Sequence, residues 1–328
     1  MIGSTFRTPS SGSHLRAIRP LPHGERWRLR LRRSCRRQSD IVECLEPLRR
    51  MRPWHSVAAL SIGLLLAFAA PAGAGPRVAS INVCTDQLLL ALADPEQIVG
   101  LSPYSRDAIR SWRAADASRF RRLSGEAEDV LILKPDFVVA GRFTKRATRE
   151  LLKSQGLQVV EFDAARSLAD VREQMRRMGA LVGHPDRAAA EIARLDAAVD
   201  RARAAAARKR YRVLPLSRRG WVSGSDSLIS SLLAATGLAN AAGEIGFRAG
   251  GFASLETVVS TRPDFILVAD NSLFAEDQGR AFLLHPALEA LYPPDKRIVL
   301  PERLTVCGGP MLADALELLT AEIERVTR

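Results

Sequence analysis

Histidine, cysteine and aromatic residues are all scarce in this chain of 328 residues, and each scarcity excludes something. Of five histidines only His184 and His285 lie beyond residue 74. Each stands directly before a proline, where it reads as loop punctuation, and two imidazoles are too few for a zinc or manganese centre of the usual His-rich kind. Four cysteines in a chain of this length exclude a small disulfide-stapled scaffold. Phe, Trp and Tyr make up only 5% of the residues, which argues against a surface that stacks nucleic-acid bases. No G-x-S-x-G, P-loop or H-E-x-x-H occurs, and Asp226-Ser227 reads as a helix cap rather than a nucleophile site. A secreted enzyme is therefore a remote alternative, and no catalytic residue is expected.

Charge is present but uneven. The first fifty residues hold twelve arginines and four acids, a net +8 of the total of +12, so the other 278 residues carry +4. The basic character belongs to one end and is not the footprint of a nucleic-acid binder. Residues 1–50 have no sustained apolar period and are expected to be disordered, or to lie upstream of a true start at Met51. Residues 51–74 have the three parts of a secretory signal peptide. Met51-Arg52 is a basic start, Val57 to Ala70 is an apolar run of fourteen residues, and Ala72-Gly73-Ala74 follows Pro71 as a small-residue exit. The run is short for a bilayer span, so cleavage near Ala74 and a periplasmic location are expected.

The remainder alternates short apolar strands with helices. Strands are expected at Arg77–Ile81, Gln97–Leu101, Asp136–Ala140 and Leu157–Phe162, with helices over 86–93 and 144–155. Continuous apolar strands between helices indicate parallel sheets covered on both faces. Asp186 to Arg210 contains eleven alanines and no Gly or Pro, and Pro185-Asp186 is a start signal. It reads as one long, rigid helix. Strands at 212–216, 264–269 and 297–300, with helices over 227–236 and 309–326, form a second half. The expected organisation is an N-terminal α/β lobe over 75–184, a connecting helix over 185–210 and a C-terminal α/β lobe over 211–328, each lobe Rossmann-like and the ligand cleft between them.

An internal repeat supports two equivalent lobes. Residues 128–140 read EDVLILKPDFVVA and residues 256–268 read ETVVSTRPDFILV. Glu128 matches Glu256, Val130 matches Val258, Lys134 and Arg262 are both basic, and Pro135-Asp136-Phe137 matches Pro263-Asp264-Phe265. In each copy a short helix runs through a Pro-Asp turn into a strand.

Together with Ser80-Ile81-Asn82, Thr85-Asp86, Ser223 to Leu228 and Ser254-Leu255-Glu256, this organisation resembles the helical-backbone periplasmic binding proteins of vitamin B12 and ferric-siderophore importers. The resemblance covers about residues 76–327. It implies a monomer, without a resident cofactor, that captures a small-molecule metal chelate, a ferric siderophore or a corrinoid. The chelate is handed to an ABC permease dimer with a cytoplasmic ATPase. It also implies that Glu128 and Glu256, one per lobe, dock on permease arginines. Two carboxylates at equivalent places suit a two-fold partner, although the first turn of a helix favours an acid for its own sake.

The cleft is expected at the carboxyl ends of the strands. Tyr104 and Arg142 stand where vitamin B12-binding relatives have Tyr and Arg, and Trp221 lies beyond the first strand of the second lobe. Those relatives grip a corrin with several aromatics. At two of those positions stand Gly141 and Phe252, and the loop at Ser124-Gly125 lacks a tryptophan. Arg142, Arg218, Arg219, Arg248 and Arg303 are candidate cations for a ligand with anionic groups, Arg142 and Arg219 foremost. Cys84 and Cys307 fall one per lobe in strand-end loops. A disulfide, two structural thiols, or contacts to a soft metal or the ligand's metal centre are all compatible with their positions. The expected ligand residues are thus Cys84, Tyr104, Arg142, Arg219, Trp221, Phe252, Arg303 and Cys307. The alternative is a haem or metal-ion carrier of the same fold using Tyr104 or the cysteine pair.

Overall fold

A computed structural model describes residues 75–205, 210–269 and 281–328. The basic extension, the signal peptide, Asn271 and residues 206–209 lie outside the described residues. Among the described residues no helix is long and apolar enough to cross a membrane.

The first lobe begins with β1 (Val78–Ser80), buried throughout, and α1 (Val83–Leu92). This helix starts earlier than expected because Asn82, in extended conformation, accepts a hydrogen bond from the Cys84 N–H at 2.9 Å and so caps it. The lobe continues with β2 (Ile98–Gly100), α2 (Ala114–Ala117), α3 (Ala127–Leu133), β3 (Phe137–Gly141), α4 (Arg146–Ser154) and β4 (Gln158–Phe162). Next comes a helix that the sequence reading passed over, α5 (Leu168–Val182). A reciprocal Ser167–Asp170 capping box starts it and Gly183, at φ 80°, ends it. The long helix, α6 (Pro185–Ala205), follows at once.

The second lobe holds β5 (Arg212–Pro215), β6 (Trp221–Val222), α7 (Leu228–Ala235), β7 (Ala239–Asn240) and β8 (Gly251–Phe252). It closes with α8 (Leu255–Thr261), β9 (Phe265–Val268), α9 (Pro286–Leu291), β10 (Arg297–Val299) and α10 (Leu312–Thr327). Strands order as β2-β1-β3-β4 and β10-β9-β5-β7, parallel throughout, and β6 pairs with β8 antiparallel. Counted within each lobe, both four-stranded sheets therefore run second-first-third-fourth.

The repeat is a repeated hydrogen-bond module. Asp136 accepts from the Arg77 N–H at 2.7 Å, and Asp264 accepts from the Arg212 N–H at 2.8 Å. The two arginine side chains reach the last carbonyls of the preceding helices, Arg77 to those of Leu133 and Lys134, Arg212 to those of Thr261 and Arg262. These are the carbonyls a helix leaves unpaired. Lys134 and Arg262, the matched basic residues, both end their helices in the left-handed region, at φ 47° and 44°.

The lobes share a core. Helix α6 packs against α5, α7 and α10, burying Ala188, Leu195, Ala198, Val199 and Ala202 along one face. One apolar cluster runs from Val78, Phe137 and Met175 of the first lobe through Leu195 to Val213, Phe265 and Leu319 of the second. The connector is therefore the middle of a helical layer rather than a lone strut.

One polar group is buried at the edge of this core. Asp86 on α1 is fully buried and accepts hydrogen bonds from Ser102 through its N–H (3.0 Å) and its hydroxyl (2.5 Å), which pins the turn after β2. Loss of hydration pushes its carboxyl up to about 7, with the bonds from Ser102 and Ser80 acting the other way. A folded-state pKa above the unfolded one means that the folded protein holds the extra proton, so stability must fall as pH rises from about 4 to about 7. The Asp86 contribution to that fall is on the order of 4 kcal/mol. Urea unfolding across this range should show the decline in the wild type and a flatter profile in Asp86→Asn. Parallel profiles would show that Asp86 does not set the pH dependence.

Candidate functional site

In each sheet the first and third strands are neighbours, so the chain leaves their carboxyl ends toward opposite sides and opens a crevice between the two loops. Both crevices are present. In the first lobe a cavity of about 100 Å³ lies among the loops after β1 and β3, lined by Asn82, Thr85, Arg142 and Phe143. A wider pocket of about 430 Å³ continues from it past Arg142, Asp163 and Arg177. In the second lobe a cavity of about 610 Å³ lies beyond β5 and β9, lined by Ser217, Arg218, Trp221 and Leu267. Val306, 42% exposed, lines the cavities of both lobes. The loop after β10 therefore borders both.

Local structure explains the crevice walls. A Cβ on residue 141 would lie 2.6 Å from the Asn82 side-chain nitrogen. Glycine there leaves room for the Asn82 cap, and a corrin-gripping aromatic would expel it. The Ser80 and Thr85 hydroxyls lie 2.7 Å apart, and Thr85 donates to the Asn82 carbonyl at 2.9 Å. The Ser-Ile-Asn and Thr-Asp motif residues thus build the wall rather than face the cleft as a polar row.

Cys84 and Cys307 form a disulfide with their Cα atoms 5.1 Å apart. Of the three readings of this pair, the disulfide holds. Ligation of a soft metal is overturned, because metal binding needs thiolates and both sulfurs are bonded to each other. Among the described residues no group of three His, Cys, Asp or Glu is placed to hold a metal ion. Both cysteines line the first-lobe cavity, where their disulfide forms part of the wall.

The other expected residues divide. Arg142 lines the first-lobe cavity and pairs with Asp163 at 3.3 Å, both side chains well exposed. Trp221 lines the second-lobe cavity and packs edge-on against Phe252, ring centres 5.0 Å apart, through the β6–β8 pair. Phe252 is 67% exposed beside it. Tyr104 stands 55% exposed in the turn after β2, outside the linings of these three cavities. Arg219 and Arg303 are likewise outside them, and their neighbours Arg218 and Glu302 are inside. Both pairs sit in 3₁₀ turns, where adjacent side chains leave in different directions. Arg219 at φ 58° and Gly220 at φ 77° sharpen the first turn. Arg248 is on the surface, paired with Asp226 at 3.1 Å. Ser227 caps α7, as expected. His184 is more than punctuation, for it pairs with Asp94 at 2.9 Å.

The lining residues that the sequence does not single out include Phe143, Arg110 and Glu302. Phe143 was within reach, as it follows Arg142 at the end of a recognised strand, and it is 83% exposed. Glu302 stands next to Arg303 but, as an acid, does not fit the pattern of cations expected for an anionic ligand. Nothing local marks Arg110.

Glu128 and Glu256 are both exposed, each in the first turn of a seven-residue helix, α3 and α8. The Glu256 carboxyl is held below its usual range by the backbone N–H of its own residue and by Ser254, as a helix N-terminus dictates.

Comparison with known proteins agrees with this geometry. The family described as "Periplasmic binding protein" matches residues 78–292. A cobalamin-binding protein of Halobacterium salinarum is 28% identical over 195 residues, 58% of this chain and 53% of that protein, so the match spans about half the relative's length. The fold is similar to that of a periplasmic heme-binding protein from Roseiflexus sp. RS-1 (TM-score 0.65, 24% identity, 77% of this chain and 100% of that one). It is also similar to the periplasmic vitamin B12-binding protein of Vibrio cholerae (TM-score 0.60, 17% identity, 78% and 99%). The two-lobed α/β architecture is common to the two solved structures, and all three proteins are binding proteins by name.

The disulfide closes a loop of 223 residues in sequence separation. Replacing both cysteines by serine is expected to lower the free energy of unfolding by about 3–5 kcal/mol, measured by urea unfolding under non-reducing conditions. An unchanged midpoint would show that the shared helical layer alone holds the lobes together.

Proposed function

The chain belongs to the periplasmic binding protein family, and from that membership we propose that it captures a metal chelate between its lobes and delivers it to an ABC permease. The chelate class is a ferric siderophore or a corrinoid. The observation that carries this reading is the position of the cavities. They lie at the switch points of both sheets and share one lining residue, Val306, which supports a single ligand that contacts both lobes. The walls suit a metal chelate with a flat or apolar body and polar edges. Phe143 and Arg142 line the first-lobe cavity, and Trp221, which Phe252 meets edge-on, lines the second with Arg110 and Arg218. In this reading the protein works as a periplasmic monomer without a resident cofactor and performs no chemistry. Affinity comes from burial and a few charge-assisted hydrogen bonds, and the transport energy comes from the ATPase.

Haem is the second reading. It is supported by the exposed phenol of Tyr104, which lies on the turn after β2, at the same edge of the first sheet as the cleft. The version that used Cys84 and Cys307 as ligands is withdrawn with their disulfide.

Fluorescence titration of the protein with cobalamin, haemin, ferrichrome and ferric citrate tests the proposal. Trp221 lines the cavity, whereas Trp112 is partly buried and donates to Asp314 at 2.9 Å. Saturable quenching by one of the four is expected, with the amplitude falling sharply in Trp221→Phe. Silence across all four would sink the chelate reading.

Docking is tested separately. Glu128→Arg and Glu256→Arg should leave chelate affinity unchanged and reduce import by about tenfold or more, since repulsive charges at a docking surface act on partner choice. Undiminished import by both variants would assign these acids to helix capping alone.

A further inference from the structure

Cys84 and Cys307 are placed differently, although one bond joins them. Cys307 is 2% exposed and belongs to the core that the lobes share. Cys84, in the first turn of α1, is partly exposed. Both line the first-lobe cavity, which continues into the wider pocket past Arg142. The bridge thus meets the cleft on its Cys84 side.

The bridge also fixes a loop that borders both lobes' cavities. Val306 precedes Cys307 and lines a cavity in each lobe, and its carbonyl oxygen lies 3.9 Å from Cys84 Sγ. The hydrogen bonds of the loop are local, with the Thr305 and Val306 N–H groups both donating to the Glu302 carbonyl at 2.9 Å. Toward the first lobe, Arg110 approaches Glu302 only to 4.0 Å. The lobes themselves are joined further by the apolar cluster and the helical layer. Opening the bridge therefore acts on the loop before it acts on the fold.

We propose that the Cys84–Cys307 bridge is a redox modification site: a dithiol reductant attacks Cys84 from the cleft, and the freed loop lowers affinity for the chelate. The second half rests on the chelate-binding reading. In the exchange, a reductant thiolate bonds to Cys84 Sγ, the Sγ–Sγ bond breaks, and Cys307 leaves as a thiolate that takes a proton. The reductant's second thiol then displaces Cys84, which releases an oxidised dithiol and leaves two protein thiols. Two electrons and two protons have passed to the protein. Cys84 is the sulfur suited to attack, since access decides which sulfur of a disulfide reacts. Once reduced, it stands at the positive end of a ten-residue helix, which favours its thiolate and so the reduced form. Linkage sets the size of the coupling. A chelate that binds the oxidised protein about tenfold more tightly must lower the reduction potential of the bridge by about 30 mV. Bound chelate protects the bridge, and reduction favours release.

Thiol reactivity is measured first, without a chelate. Dithiothreitol in the absence of denaturant should reduce the bridge while circular dichroism stays that of the folded protein. Alkylation and peptide mass spectrometry separate these thiols from Cys35 and Cys44. Glutathione disulfide should form a mixed disulfide at Cys84 in Cys307→Ser, and react about tenfold or more slowly with Cys307 in Cys84→Ser. Reduction that requires urea, or a Cys307 as reactive as Cys84, would overturn the modification site. Affinity is then read with cyanocobalamin, gallium protoporphyrin and gallium-loaded ferrichrome, whose metals dithiothreitol leaves unreduced. One probe should bind the oxidised protein about tenfold or more tightly than the reduced protein, and Cys84→Ser with Cys307→Ser should match the reduced form. The same probe should lower the reduction potential by about 30 mV or more. Equal affinity for the two forms would overturn the control of binding and leave the chelate reading standing. Binding of no probe by the oxidised protein would overturn the chelate reading and the coupling together, whatever the thiol reactivity.

Discussion

The loop after β10 is held to the first lobe, and the cleft depends on that attachment. Cys307 is bonded to Cys84 at the start of α1. A few residues on, Asp314 accepts from Trp112 of the first lobe at 2.9 Å and from Arg194 of α6 at 2.8 Å. Gly308 lies so close to Ala165 that a Cβ would approach to 2.6 Å. A segment that belongs by sequence to the second lobe thereby packs on the first, and its Val306 lines cavities of both.

The same attachment limits how the lobes move. A shared apolar cluster, a four-helix layer and a covalent bond connect them. Packed interiors resist deformation, and all three connections oppose a wide separation of the lobes. The rings of Phe143 and of Trp221, which Phe252 meets edge-on, offer apolar area at the cavities that Arg142, Arg110 and Arg218 also line.

Much of the fold could be read from local sequence. The β-branched runs, the Pro-Asp turns and the terminal glycines lie within a few residues of the elements they define, and the repeat gave the two lobes a common plan. The structure shows why the repeat persists as residues: Asp136 and Asp264 fix the first strand of each lobe, and Arg77 and Arg212 satisfy the helix ends. Helix α5 was overlooked, although Ser167, Asp170 and Gly183 mark both of its ends. The site was read less completely. Loops were correctly identified, yet neighbouring side chains in one loop differ in direction. Arg218 and Glu302 line the cavity while Arg219 and Arg303 do not.

By itself, then, the sequence determined the two parallel α/β lobes, the long helix between them and the loops in which a ligand would be met, because each rests on short-range backbone preferences and apolar periodicity. The pairing of Cys84 with Cys307, the facing of Arg110 and Glu302 and the place of Val306 in the lining of both lobes' cavities were decided only by the tertiary structure. Those are contacts between segments far apart in the chain. They depend on how the lobes pack and on the direction in which each turn sends its side chains, and no local pattern encodes either.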